Sequence, residues 1–234
     1  MVEKAVCLIS GGLDSCVTSL IAKKQGYEIY AISFNYGQLH KKELDCSNKI
    51  AQTVGVEDRI IIDVDFQKFG IFSLLNTSSD SIQDHDLKDI GREIPLTYVP
   101  ARNTVFLSLA LAYAESIDAD AIFIGANAVD YSGYPDCRPE YIQAYQKMAD
   151  LGTKKGVEGR SIKIEAPLLH LTKSEIIKTG LKLDAPLADT WSCYRGGELA
   201  CGRCDSCVLR LKGFKDVGVK DPLRYERYPD WYTS

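Results

Sequence analysis

The sequence predicts an α/β protein on a doubly wound parallel sheet. Short apolar runs of strand character recur along the chain, segments with helical spacing of apolar residues separate them, and the first run ends in a glycine turn. Alternation of this kind places crossover helices on both faces of a parallel sheet.

Residues 5–9, Ala-Val-Cys-Leu-Ile, read as a buried strand, and after the turn Val17, Leu20 and Ile21 fall at helical spacing. A second strand is expected over 29–34, a helix over 38–54 and a third strand over 60–64. Residues 103–117 form a strongly apolar helix, followed by a fourth strand at 121–125. Pro139 suits the first turn of a helix reaching about residue 155, because its missing N–H costs nothing there. A fifth strand is expected over 162–167, and Thr172-Lys173-Ser174-Glu175 has the spacing of a capping box that opens the next helix. Two stretches break the rhythm. Residues 76–94 are polar and acid-rich, which fits a lid or a surface insertion equally, and residues 190–207 crowd cysteines and glycines together.

Composition narrows the function. The 234 residues are 45% hydrophobic and 26% charged, which excludes disordered, collagen-like and coiled-coil classes. With 28 Lys+Arg against 32 Asp+Glu the net charge is −4, which argues against bulk affinity for nucleic acid or an anionic membrane, though not against a local basic patch. No apolar stretch approaches the ~20 residues of a membrane span. The first residues lead into a run too short for a signal peptide, so a cytoplasmic protein is expected.

Eight cysteines are present, and Cys193, Cys201, Cys204 and Cys207 fall within fifteen residues. A secreted disulfide scaffold is usually shorter and denser in cysteine, so the cluster reads as a metal site and the scattered cysteines as small core residues. Four soft thiolates without a vacancy favour structural zinc; an iron–sulfur cluster is the rival, weakened because the fourth cysteine lies upstream and no Cys-Pro follows.

Ser10-Gly11-Gly12-Leu13-Asp14-Ser15 lies between the first strand and its helix. Two glycines let backbone amides approach a ligand, and the helix start adds unpaired N–H groups and a partial positive charge. That combination suits phosphate. The plainer alternative is a tight turn capped by Asp14 or Ser15. No Gly-Lys-Ser/Thr occurs in the chain, so the loop is not a Walker P-loop.

The wording Ser-Gly-Gly-x-Asp-Ser resembles the pyrophosphate loop of the ATP pyrophosphatases, which implies adenylation chemistry. With Asn35-Tyr36-Gly37-Gln38, Val99-Pro100-Ala101-Arg102-Asn103, Tyr134-Pro135-Asp136-Cys137-Arg138-Pro139 and the four cysteines in the same order, the chain closely resembles the 7-cyano-7-deazaguanine synthases of queuosine biosynthesis. The likeness runs from about Lys4 to Tyr225. It implies an ATP-dependent ligase that converts 7-carboxy-7-deazaguanine and ammonia to the nitrile through an adenylated acid and an amide. It implies an ATP site over Leu8, Ile9, Ser10, Gly11, Gly12, Leu13, Asp14, Ser15, Cys16, Val17 and Thr18, with magnesium on the triphosphate. It also implies one zinc on Cys193, Cys201, Cys204 and Cys207, with an α/β domain over 1–189 and a zinc region over 190–234.

That substrate needs a carboxylate for its N–H edge and a cation for its own carboxylate. Asp136, Arg138 and Arg102 are the candidates; a turn-capping aspartate and surface-paired arginines weigh about equally. Cys137 has no histidine nearby and reads as a packed thiol, not a nucleophile. A tRNA-thiolating relative would need an RNA-binding surface that an acidic chain without a spare basic domain does not offer. A non-catalytic nucleotide sensor is the rival from another class. Expected partners are therefore the small-molecule substrates, with no stable nucleic acid and no membrane. The aromatic tail after Tyr225 is free to serve a homodimer or to dock on the body.

Overall fold

The computed structural model describes residues 2–37, 42–69, 94, 98–129 and 134–233. Residues 76–93 of the expected lid or insertion lie outside them, as do Gln38 and the beginning of the helix expected over 38–54.

Five parallel strands form one sheet: β1 (Lys4–Leu8), β2 (Glu28–Asn35), β3 (Asp58–Asp63), β4 (Ala121–Phe123) and β5 (Lys163–Glu165), in the order β3-β2-β1-β4-β5. The chain winds outward from β1 to one edge and then returns to the other side. β1 is therefore central, with Cys7 opposite both Ala31 and Phe123. This is the doubly wound arrangement the alternating pattern predicts.

The two-residue period of β1 assigns its side chains to two cores. Val6 and Leu8 pack with Phe106, Leu107 and Ile142 from α3 (Arg102–Ser116) and α4 (Pro139–Gly152). Ala5, Cys7 and Ile9 face the other side, against α1 (Leu13–Lys24) and α2 (Lys42–Val54), where Cys16, Ile50 and Ala51 meet them. Ile9, Ile29, Ile50, Leu107 and Ile122 are essentially inaccessible, and each such side chain contributes about 1.5–3 kcal/mol by leaving water.

The helix expected from Pro139 to about residue 155 is interrupted. Thr153 is extended, its hydroxyl accepts from the Gly156 N–H, and a short α5 (Lys154–Val157) begins anew. The break turns Lys155 inward, where its ammonium donates to the Asp118 and Ala119 carbonyls at 3.0 and 2.8 Å and pairs with Asp120 at 3.1 Å. The capping box forms at α6 (Lys173–Lys182): Thr172 Oγ1 accepts from the Glu175 N–H, and the Glu175 carboxylate accepts from the Thr172 N–H.

Beyond Thr190 the chain builds a separate core around the cysteines and α7 (Asp205–Val217), onto which the aromatic tail folds, ending in α8 (Asp230–Thr233). Tyr228 and Tyr232 stack 5.4 Å apart, and Tyr225 donates to Asp221 at 2.6 Å. The anchor is Arg210. Almost fully buried, it donates to both Asp221 oxygens at 2.8 and 3.1 Å, to Thr190 Oγ1 at 2.7 Å and to the Leu187 carbonyl at 2.9 Å. Asp221→Ala would strand that guanidinium out of water, so a loss of about 3–5 kcal/mol in urea-unfolding stability is expected. A loss under 1 kcal/mol would show that the network does not anchor the region.

Candidate active site and metal centre

The glycine turn lies at the carboxyl end of β1, where the chain order reverses and open sheets bind ligands. Gly11 has φ +95°, and a Cβ there would come within 2.1 Å of the Glu43 carbonyl oxygen, so only glycine fits. Its own carbonyl accepts from the Trp191 N–H at 2.9 Å. Ser15 Oγ donates to the Gly12 carbonyl at 3.0 Å and accepts from the Ser10 N–H at 3.2 Å, closing the loop on itself. No side chain caps α1 at Gly12. Asp14, the alternative cap, instead meets the Lys173 ammonium at 2.8 and 2.9 Å. The start of α1 thus keeps its N–H groups and partial positive charge available to an anion.

The loop opens into a cleft of about 270 Å³. Leu8, Ile9, Ser10, Gly12, Leu13, Asp14 and Ser15 line it, whereas Gly11 turns toward α2, and Cys16, Val17 and Thr18 are buried in α1. Tyr36, Arg102, Phe106, Tyr134 and Tyr194 also face the cleft, with Glu43 among them. The Arg102 guanidinium lies 5.7 Å from the centre of the Tyr36 ring. Burial works against its charge, but Tyr36, Tyr134, Tyr194 and Asp136 outweigh that and hold it above the ordinary range. Burial likewise pushes the Tyr36 hydroxyl up to about 12. Burial raises the Glu43 carboxyl to about 7, with Cys193 adding to the shift and Arg102 opposing it.

The three residues considered for the substrate separate. Arg102 faces the cleft. Asp136 is buried and does not line it: its carboxylate accepts from the Asn103 N–H at 3.0 Å. That bond serves the start of α3, where Ala101 is left-handed and no N-cap side chain is present. Asn103 completes the pairing by donating to the Asp136 carbonyl and to Cys137 Sγ, both at 3.2 Å. Arg138 is exposed, sits at the N-cap position of α4 and donates to the Pro135 carbonyl at 3.2 Å. Cys137 borders the cleft with its thiol pushed up to about 11 by burial, which disfavours the thiolate.

Two charged groups in the cleft escaped sequence reasoning. Lys173 sits inside the capping box that announces α6, and nothing local points it at Asp14, 159 residues earlier. Glu43 lies in the first turn of α2, just after residues 38–41, and only the chain's return at Arg102 shows that it faces a site.

Cys193, Cys201, Cys204 and Cys207 converge, all four buried, with their sulfurs within 4.8 Å of one another. Cys201 and Cys207 are 3.9 Å apart; tetrahedral thiolates at the usual zinc–sulfur length of ~2.3 Å would be about 3.8 Å apart. Backbone N–H groups of Arg203 and Cys204 donate to Cys201 Sγ, which favours its thiolate. Gly202, at φ +72°, carries the chain where a Cβ would strike the Arg227 carbonyl at 1.7 Å. All eight cysteines are unbridged, so the donor set fits a four-coordinate thiophilic metal ion. Lys42 joins this region to α2, its ammonium 3.6 Å from the Trp191 ring centre and 2.6 Å from the Glu198 carbonyl.

An open α/β sheet with a glycine loop at its switch point, free to receive an anion, and four converging cysteines beside it defines a doubly wound α/β protein with a candidate anion site and a donor set that fits a metal ion. The family model described as "Queuosine biosynthesis protein QueC" matches residues 4–218, and the chain belongs to that family. It is 55% identical to the 7-cyano-7-deazaguanine synthase of Thermoplasma acidophilum, over 99% of this chain and 96% of that one. It is 54% identical to the 7-cyano-7-deazaguanine synthase of Trichodesmium erythraeum, over 94% and 99%. Among solved structures, NMN synthetase from Francisella tularensis is similar over 94% of this chain and 79% of that one, at 17% identity and a TM-score of 0.48. No helix among the described residues is long and apolar enough to cross a membrane.

Cys204→Ser should lose metal and stability together, because closed four-ligand sites couple metal binding to folding. Metal analysis alongside thermal unfolding checks this; a variant that is metal-free yet as stable as the parent would refute a structural site.

Proposed function

We propose that this protein makes 7-cyano-7-deazaguanine from 7-carboxy-7-deazaguanine, ammonia and ATP by activating the substrate twice as an adenylate. The observation that carries the reading is a single cleft that joins an uncapped, glycine-shaped helix start to a guanidinium set among aromatic rings.

A carboxylate is a poor acyl donor, because ammonia would have to expel an oxide. In this reading the substrate carboxylate is drawn to Arg102 and attacks the α-phosphorus of ATP. The new C–O–P linkage forms as pyrophosphate departs onto the N–H groups at Gly12, Leu13 and their neighbours. Donors placed where charge develops are commonly worth about 3 kcal/mol each. Lys173 exchanges Asp14 for the departing pyrophosphate, which frees the Asp14 carboxylate. Magnesium entering with the triphosphate would spread the leaving charge, and Asp14 is the carboxylate beside the loop that would face it. Ammonia then attacks the acyl carbon; AMP leaves and a proton is lost, giving the amide. The amide oxygen attacks a second ATP, pyrophosphate leaves and the nitrogen loses one proton; departure of AMP with loss of the second N–H proton then yields the nitrile.

Zinc on the four cysteines would supply no chemistry here, because four thiolates leave it no open position. Its role is to knit residues 190–234, whose Trp191 N–H holds Gly11.

Incubation with the acid, ammonium and ATP should give the nitrile by mass spectrometry, with one AMP and one pyrophosphate for each activation. Release of ADP and phosphate instead would contradict adenylation. Gly12→Val tests the loop. A Cβ at Gly12 meets only ordinary contacts, the nearest at 3.4 Å, so the fold should persist while the branched side chain blocks the anion. Turnover should fall at least ~100-fold with metal content and thermal stability preserved; wild-type turnover would sink the assignment.

A further inference from the structure

We propose that the Glu43 carboxylate reads the N–H edge of the guanine-like base, making it the residue that selects a 2-amino-4-oxo heterocycle. The inference deepens the reaction proposed above and rests on that reading.

A base of this kind presents a ring N–H and an exocyclic amino group side by side, a pair of donors that matches the two oxygens of one carboxylate. Among the described residues, the acids that line the cleft are Asp14 and Glu43. Asp14 is engaged by the Lys173 ammonium. Asp136 is committed to the Asn103 N–H and lies off the cleft. Glu43 is different: among the described residues no group donates a hydrogen bond to its carboxylate and no cation forms an ion pair with it, the Arg102 charge acting on it only from a distance. A partly buried carboxylate facing a cleft without a donor is costly to keep unless a ligand supplies one.

Its surroundings fit the rest of such a ligand. Tyr36, Phe106, Tyr134 and Tyr194 line the cleft, giving it an aromatic wall suited to a fused ring. Arg102, among the same rings, offers the cation for a carboxyl group on the ring's other side. Glu43 is also held in place. Its carbonyl backs onto Gly11, and the preceding Lys42 is fastened to the Trp191 ring and the Glu198 carbonyl. The cysteine region therefore fixes the residue proposed here to choose the base, as it fixes the loop proposed to hold the phosphates.

The test compares 7-carboxy-7-deazaguanine with the analogue that lacks the 2-amino group, in wild type, Glu43→Gln and Glu43→Asp. A site built to meet a donor rejects a ligand without it, so wild type should prefer the amino-bearing acid by at least ~10–100-fold in kcat/KM. Glu43→Gln, which turns an N–H toward the donors, should lose about that factor on the amino-bearing acid and little on the analogue. The preference should collapse to about threefold or less, with KM for ATP and ammonium unchanged. Glu43→Asp, which keeps the charge, should recover part of the preference. An equal loss on both acids, or a rise in KM for ammonium alone, would overturn the proposal; the second outcome would make Glu43 the receiver of ammonia. Direct calorimetric binding of the two acids reads the same preference without turnover. If wild type binds the acid but makes no nitrile, the proposed reaction fails while Glu43 is still tested.

Discussion

The site depends on a helix start that no side chain among the described residues caps. A serine or aspartate in place of Gly12 at the N-cap of α1 would stabilise the helix by about a few tenths of a kcal/mol, and two side chains able to accept from its N–H groups are already nearby. Neither is used that way. Asp14 pairs with Lys173, and Ser15 folds back on the Gly12 carbonyl. The loop is nevertheless rigid, because its closure comes from elsewhere: Ser10 and Ser15 bond within it, Gly11 is wedged on α2, and Trp191 donates to it from the cysteine region. The structure fixes the loop with the Ser10 and Gly12 N–H groups and leaves the first N–H groups of α1 itself without a side-chain cap.

That division gives the cysteine region its purpose. No sulfur needs to approach the reacting atoms for the region to govern them. Arg210 ties α7 to Thr190 and Leu187, immediately before Trp191, while Lys42 ties the Trp191 ring to the start of α2. Loop, helix start and cysteine region are joined through one short segment, residues 187–193. A metal held by the four cysteines would thereby steady the geometry of the cleft through that segment, without any open coordination position of its own.

What could be read from the sequence follows from how local each feature is. The strand–helix alternation, the glycine loop, the Thr172 capping box and the cysteine cluster are each written within a short stretch of chain, and all could be recognised there. Strand order could not, since period and propensity say nothing about which strand lies beside β1. Nor could the split after Gly152, which exists because Lys155 must reach carbonyls that precede β4. The fate of Asp136 was out of reach for the same reason: its partner is the N–H of a residue 33 positions earlier, and only the packed α3 shows that this N–H lacks any other cap.

Three acids near the glycine loop and α3 show how environment, more than residue type, assigns a role. Asp14 meets an ammonium at hydrogen-bond distance, so its charge is balanced; in the proposed reaction that ammonium would move to the incoming phosphate and free the carboxylate for magnesium. Asp136 meets a backbone N–H inside the protein, so its charge is spent on holding α3 and with it Arg102, the next residue back from its partner. Glu43 meets neither. It keeps a carboxylate directed at the cleft, raised by burial and only partly offset by Arg102, and such a group is stable in its charged form when donors arrive with a ligand. A substrate with a carboxyl group at one end and paired N–H donors at the other would satisfy Arg102 and Glu43 at once. Either charge alone would accept many ligands; the pair, set among aromatic walls, is selective because a ligand meeting only one leaves the other buried and unmatched.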